Sequence, residues 1–193
     1  MADKCNTIRL YSFQTDVVYQ VLKRDGVCYS KEEYVQKKYK ESAKVFINAY
    51  GWFVKEAQHI VPKPEGAEYP YWAFADLYNV NQTGDGHVLT LDVPIGEAVL
   101  FDMFDWTKIM QMHYIGENES EESAFSEELK NMGMNEFQIM TSNFYPEQKA
   151  RIQESWKRLF NHQQAIETGD NSGVHSVQAG LWCIKDEWIA KQF

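Results

Sequence analysis

Ile8-Arg9-Leu10-Tyr11-Ser12-Phe13 alternates apolar and polar side chains, the two-residue period that turns one face of a strand towards a core. The period then lengthens. Val17, Val18, Val21 and Leu22 recur at helical spacing behind Thr15 or Asp16, either of which can cap a helix, and Gly26 supplies its stop. Val27-Cys28-Tyr29 reads as a second short strand. Ser30-Lys31-Glu32-Glu33 has the form of a capping box, in which Ser and Glu each satisfy a backbone N–H of the other. Tyr39, Ala43, Phe46, Ala49, Tyr50 and Phe53 follow at helical spacing, so a long helix is expected to run to about Ile60, before Pro62.

Pro62-Lys63-Pro64-Glu65-Gly66 reads as a rigid turn leading to an aromatic strand or loop, Pro70-Tyr71-Trp72-Ala73-Phe74. Asn81-Gln82-Thr83-Gly84-Asp85-Gly86 has hairpin chemistry, since Asp-Gly favours positive φ. It delivers the clearest strand, His87 to Val93, with Leu89, Leu91 and Val93 on one face. Ala98-Val99-Leu100-Phe101 is a further strand, followed by an Asp-capped helix that begins near Asp105 and carries Trp106, Ile109 and Met110. Glu117 to Glu128 holds six glutamates and reads as a solvated loop or helix start; Gly133 ends the helix after it. Pro146 opens a helix bearing Ile152, Trp156, Leu159 and Phe160 on its apolar face. Thr168 to Gly173 is a loop, Val174 to Ile184 a closing strand, and a short final helix surrounds Trp188 and Ile189. Strands and helices do not alternate as in a parallel array, and no repeat or linker interrupts them. The pattern predicts one α+β domain over residues 1–193, with a mixed, mainly antiparallel sheet packed against several helices.

Composition agrees with one core. Of 193 residues, 44% are hydrophobic and 15% aromatic, and a chain of this size buries roughly 70% of the surface it exposes when unfolded. The net charge of −9 argues against binding free nucleic acid, which is gripped by cations that neutralise phosphates. Lys37-Lys38-Tyr39-Lys40 is a local basic run that on a helix reads as a solvated face. The overall field attracts basic protein partners instead. Cys5, Cys28 and Cys183 are odd in number and lack CxxC spacing, as expected for thiols in a reducing compartment. Residues 1–6 form no apolar leader and no 18-residue apolar run occurs, so the expectation is a cytoplasmic protein with no membrane association.

The search for chemistry is mostly negative. His59, His87, His113, His162 and His175 show no metal-ligand spacing, and no phosphate loop or nucleophile elbow is present. Asp102 and Asp105 lie three apart at a strand-to-helix junction, where a carboxylate pair serves as acid and base, holds a cation, or caps the helix. Gln178, in the apolar strand Ser176 to Trp182, either meets a ligand or ties neighbouring backbones together. Tyr69, Tyr71, Trp72 and Phe74 either line a stacking pocket for a base or belong to the core. No catalytic signature stands out, and whether the chain is an enzyme stays open.

Several of these stretches fit one pattern: Arg9-Leu10-Tyr11-Ser12-Phe13-Gln14, Tyr69-Pro70-Tyr71-Trp72-Ala73-Phe74, Leu89 to Pro94, Val99-Leu100-Phe101-Asp102 with Asp105-Trp106, Glu154 to Phe160, and Val177-Gln178-Ala179-Gly180-Leu181-Trp182. Together and in this order the chain resembles the bacterial domain-of-unknown-function family 3841, which implies a fold but no activity. More loosely, the first strand, the helix ending in Gly26 and a late strand with a polar residue are similar to ADP-ribosyltransferases. That likeness implies NAD as cofactor, with Gln178 in the place of the late-strand glutamate and Tyr11 or Arg9 near the cofactor; Tyr71 and Trp72, from the aromatic set, are the further candidate ligand-binding residues. The leading expectation is an acidic, non-catalytic binding protein without a cofactor, of bacterial or phage type. It would dock through Glu119, Glu121 and Glu122 on a basic nucleic-acid-handling protein, such as a CRISPR nuclease, and inhibit it. The alternatives are an NAD-using ADP-ribosyltransferase-like enzyme, and a nuclease or other hydrolase with Asp102 and Asp105 as its acids.

Overall fold

The computed structural model describes residues 6–31 and 43–190, with the backbone alone of residues 43–47. Strand β1 (Thr7–Gln14) is followed by helix α1 (Asp16–Asp25) and β2 (Val27–Tyr29), then by the long helix α2 (Ala43–Ala57). β3 (Tyr71–Phe74), β4 (His87–Pro94) and β5 (Ala98–Asp102) lead to α3 (Met103–Met110). Four helices come next: α4 (Glu119–Asn131), α5 (Glu136–Thr141), α6 (Pro146–Ser155) and α7 (Gln163–Glu167). The chain closes through β6 (Val177–Leu181) and β7 (Cys183–Lys185). Five strands form one sheet in the order β4-β1-β3-β6-β5, with every neighbouring pair antiparallel, while β2 and β7 pair in a second, two-stranded sheet. This is the α+β architecture the pattern predicts, and residues 87–93 are a strand within it.

One face of the sheet is buried along its length, and the two-residue period sorts the side chains between the faces. The other face is covered over β5 and β6 but open over β1 and β4, where Arg9, Val88 and the Asp92 side chain are exposed. Leu10, Tyr71, Ala73, Leu89, Leu91, Leu100, Val177, Ala179 and Leu181 pack on one side with Val18 and Leu22 of α1 and with Ile184 and Trp188. On the other side Val99 and Phe101 meet an aromatic core brought by α2, α3 and the 3-10 turn that follows α6. Phe53 is its hub, edge-on to Trp72, Phe101 and Trp106 with ring centroids 5.0, 5.5 and 5.4 Å away. The hub also explains Gly180 in the middle of β6. A Cβ there would lie 2.7 Å from the Phe53 ring, so α2 can approach the sheet only over a residue without a side chain.

Four local expectations are corrected. Residues 81–86 turn, with Gly84 at φ +104°, but they do not join paired strands. β1 lies between β3 and β4, and the loop carries the chain across it to the sheet's edge. The reason is burial: Leu89, Leu91 and Val93 reach the core opposite β1, register Leu10 with Leu91. The closing strand from Val174 to Ile184 is two strands in two sheets, divided at Trp182, whose indole donates to the Val61 carbonyl at 2.7 Å and turns the chain. The long helix ends at Ala57, and residues 58–60 continue only as a turn. The helix expected from Asp105 begins at Met103. Ser30 bridges to Tyr69; the rest of its capping box at Glu32 and Glu33, the basic run at 37–40, Tyr39 and Cys5 lie outside the described residues.

Trp156 follows α6 in a short 3-10 turn, fully buried, its indole donating to the His113 carbonyl at 2.7 Å. Trp156→Ala is expected to lower the unfolding free energy by about 3–5 kcal/mol in chemical denaturation, from the lost apolar contacts and the cavity left behind. A loss under about 1 kcal/mol would contradict the packing described.

Candidate functional site

The residues proposed as a ligand set do not share one surface. Tyr11, Trp72 and Gln178 lie on the α2 side of the sheet, aligned by the registers Tyr11 with Phe74 and Phe74 with Gln178. Tyr71 points to the other face, its hydroxyl 3.1 Å from the Cys28 thiol. Arg9 is committed to a two-pronged ion pair with Asp92, both N···O distances 2.9 Å, and this pairing holds the Asp92 carboxyl below its usual range. Trp72 donates to the Tyr50 hydroxyl at 2.7 Å, and Tyr69 is buried in the aromatic core. Gln178 is buried between Phe74 and Phe101, and its Oε1 has no partner among the described residues.

Asp102 and Asp105 have different environments. Asp102 is the last residue of β5, and its Oδ1 accepts the Phe104 N–H at 3.0 Å, capping α3. The same carboxylate reaches across to the start of β6. Oδ2 accepts the His175 backbone N–H at 3.0 Å and meets its Nδ1 at 2.9 Å, and Oδ1 lies 3.4 Å from the Ser176 N–H. Burial alone would raise the Asp102 pKa. The N–H groups of His175, Phe104 and Ser176 with the His175 ring outweigh burial, and the carboxyl sits below its ordinary value. For Asp105, burial dominates over the Lys108 ammonium at 3.5 Å, and the pKa is raised.

His175 is the functional candidate that sequence reasoning passed over. Its side chain is 72% exposed while the carboxylate holding it is 4% exposed, and its ring lies against Phe104 with centroids 4.7 Å apart. Ser176 is fixed alongside, its hydroxyl donating to Asp76 at 3.2 Å and accepting from Asn79 at 2.6 Å. Nothing local in the sequence marks this group, since Asp102 and His175 are 73 residues apart and meet only because β5 and β6 pair.

The acidic run forms α4 and is less solvated than expected. Glu121 accepts from the Tyr114 hydroxyl at 2.5 Å, from the Glu117 N–H at 2.7 Å and from Arg158 at 3.2 Å, so its carboxyl lies below the usual range. Glu122 accepts from Lys108 at 2.6 Å and from the Gly116 N–H at 3.0 Å. Glu128 takes both prongs of Arg151. Glu119 remains exposed. Beneath these pairs an open depression of about 420 Å³ is lined by Tyr114, Arg151, Glu154, Ser155, Lys157, Arg158 and Asn161.

Among the described residues, no group of three or more His, Cys, Asp or Glu could hold a metal ion, and no helix is long and apolar enough to cross a membrane. Cys28 and Cys183 are buried free thiols, and burial pushes the Cys183 thiol up to about 11, which suits packing rather than nucleophilic attack.

Fold and site define an antiparallel α+β protein in which a buried aspartate pins a histidine at the end of the sheet. The chain belongs to the family described as domain of unknown function, DUF3841, whose model matches residues 9–190. No curated protein and no solved structure matches it.

The depressed Asp102 pKa sets a pH dependence. A carboxyl with a lowered folded value contributes stability that is complete above its unfolded value, about 3.9, and fades as the pH falls through the folded value. The amide of Asp102→Asn serves Phe104 and Ser176 but turns an NH2 towards His175. This variant should therefore be less stable than the parent by roughly 1.5–3 kcal/mol at pH 7 in urea denaturation. The gap should close towards pH 3. A gap that stays constant from pH 7 to pH 3 would show that Asp102 does not titrate below its ordinary range. Asp105 works with the opposite sign, since a raised carboxyl loses stability as the pH climbs through the carboxylate range.

Proposed function

We propose that the chain is a protein-binding module that docks on a basic partner through the outer face of α4 and the apolar tip beyond it. The observation that carries this reading is the exposure of large apolar side chains where the acidic helix ends. Met132 is 41% exposed, Phe137 51% and Phe144 75%. Gly133 turns the chain from α4 into α5, a six-residue helix roughly 9 Å long, with Phe137 in its first turn and Phe144 just past its end. Aromatic and methionine side chains in the open, rimmed by charge, are the composition of interface centres. The rim here is acidic. Glu119 is exposed, and Glu127, 67% exposed, faces Lys130 in a solvent-screened pair at 3.6 Å that neutralises it weakly.

Charge supports the choice of partner. A net −9 chain is drawn to cationic surfaces, and a protein that handles nucleic acid presents a cationic groove of this kind. The guide-RNA channel of a CRISPR nuclease is one such groove, and occupying it would inhibit the enzyme. Glu121 and Glu122 serve α4 from within by holding it to Tyr114, Lys108 and Arg158, which leaves the outward carboxylates to act on a partner.

The test separates these roles. Proteins captured by the tagged parent chain are compared by mass spectrometry with those captured by Phe137→Ser/Phe144→Ser. The expected result is a basic partner lost only with the variant, at unchanged melting temperature. For that partner, Glu119→Gln/Glu127→Gln should lower the on-rate severalfold at low salt, and the difference should shrink as the screening length falls towards about 8 Å at physiological ionic strength. Identical capture by both chains, or an on-rate insensitive to salt and to these substitutions, would overturn the reading.

A further inference from the structure

We propose that Asp102 and His175 form an acid–base pair that gives the sheet end a hydrolytic activity towards neutral acyl esters, independent of the docking face. A histidine works as a general base when a second group fixes its ring and tautomer and leaves the other nitrogen open. The carboxylate here is buried and ionised, and four contacts lock it: the N–H groups of Phe104, His175 and Ser176, and the His175 ring. An acceptor 2.9 Å from Nδ1 places the proton on Nδ1 and leaves the lone pair on Nε2. Nε2 has no protein partner among the described residues, and the ring is 72% exposed. An acceptor carboxylate on one nitrogen and solvent at the other is the arrangement a base needs.

The surroundings limit the substrate. The Phe104 ring, itself half exposed, lies 4.7 Å from the imidazole and offers an apolar shelf for an acyl or aryl group. Asp76 stands beside Ser176, and Asp105 sits one helical turn from Asp102. Asp76, Asp102 and Asp105 outnumber Lys108, the cation paired with Asp105 at 3.5 Å, so this end of the sheet favours a neutral ester over an anionic phosphate ester. In the step itself Nε2 takes a proton from water as the oxygen bonds to the acyl carbon. The ester C–O bond then breaks and the departing oxygen recovers the proton from Nε2. One ester and one water give one acid and one alcohol, with the imidazole regenerated and Asp102 ionised throughout. Asp102 is a positioning residue in this scheme, since it acts on the reaction only by holding the His175 ring.

Two readouts on the full chain test the pair. In 15N NMR of the neutral ring, His175 should show the Nδ1–H tautomer, and Asp102→Asn, which turns an NH2 towards Nδ1, should invert it to Nε2–H. With p-nitrophenyl acetate as probe, the parent should release p-nitrophenolate at least about 100-fold faster than His175→Gln, the lower end of the roughly 10²–10⁴-fold range of general-base catalysis. Asp102→Asn should fall to the level of His175→Gln, while Val17→Ser, at an exposed position on α1, keeps the parent rate. An Nε2–H tautomer in the parent, or a parent rate equal to that of His175→Gln, overturns the proposal. Neither result bears on partner capture, which fails or succeeds through Phe137 and Phe144.

Discussion

Asp102 stands where three elements meet, and a buried carboxylate is tolerated there only because each is tied to it. The side chain ends β5, caps α3 through Phe104 and holds His175 and Ser176, the two residues that lead into β6. Desolvating an anion is costly unless donors converge on it, so the position of β6 follows from that convergence. β6 then runs between β3 and β5, buried at every residue from Val177 to Leu181. Gly180 lets α2 bring Phe53 down onto it, and Trp182 anchors to Val61 and passes the chain to the second sheet. The sheet end, the aromatic core and the second sheet thus hang on one strand, and Asp102 fixes where that strand starts.

The same physics divides the acidic groups into two kinds. Carboxylates with converging N–H or O–H donors, such as Asp102, Glu121 and Glu122, join elements and have little left to offer a partner. Arg158 is the cationic counterpart, reaching the Ile115 carbonyl at 2.6 Å as well as Glu121 and Glu117. Carboxylates that remain in solvent, Glu119 among them, set the long-range field instead. A net charge alone does not distinguish these kinds.

Much of the fold was legible because its signals are local. Alternation in β1 and β4, Gly26 in the left-handed region behind α1, and Pro146 opening α6 each act over a few residues. Strand order was not legible, since the Asn81–Gly86 stretch has the chemistry of a hairpin but leads past β1 to the sheet's edge. The break at Trp182 depended on a carbonyl 121 residues away. At the candidate site, the pairing of Asp102 with the start of α3 was readable from the cap pattern, whereas His175 was not, because only the β5–β6 register brings it there. The glutamates of α4 misled for a related reason: their donors, Lys108, Tyr114 and Arg158, come from before α4 and from beyond α6.

The claim on which the rest turns is that Asp102 is ionised in its buried position and organises the sheet end. The 13C shift of its carboxyl carbon, followed against pH in the folded protein, reads this directly. Here the carbon should hold its ionised shift as exposed aspartates titrate near pH 3.9 and change only below that point. A carboxyl that titrates at or above the ordinary aspartate value would mean that burial outweighs its donors, and the account of β6, His175 and the sheet end would fall with it.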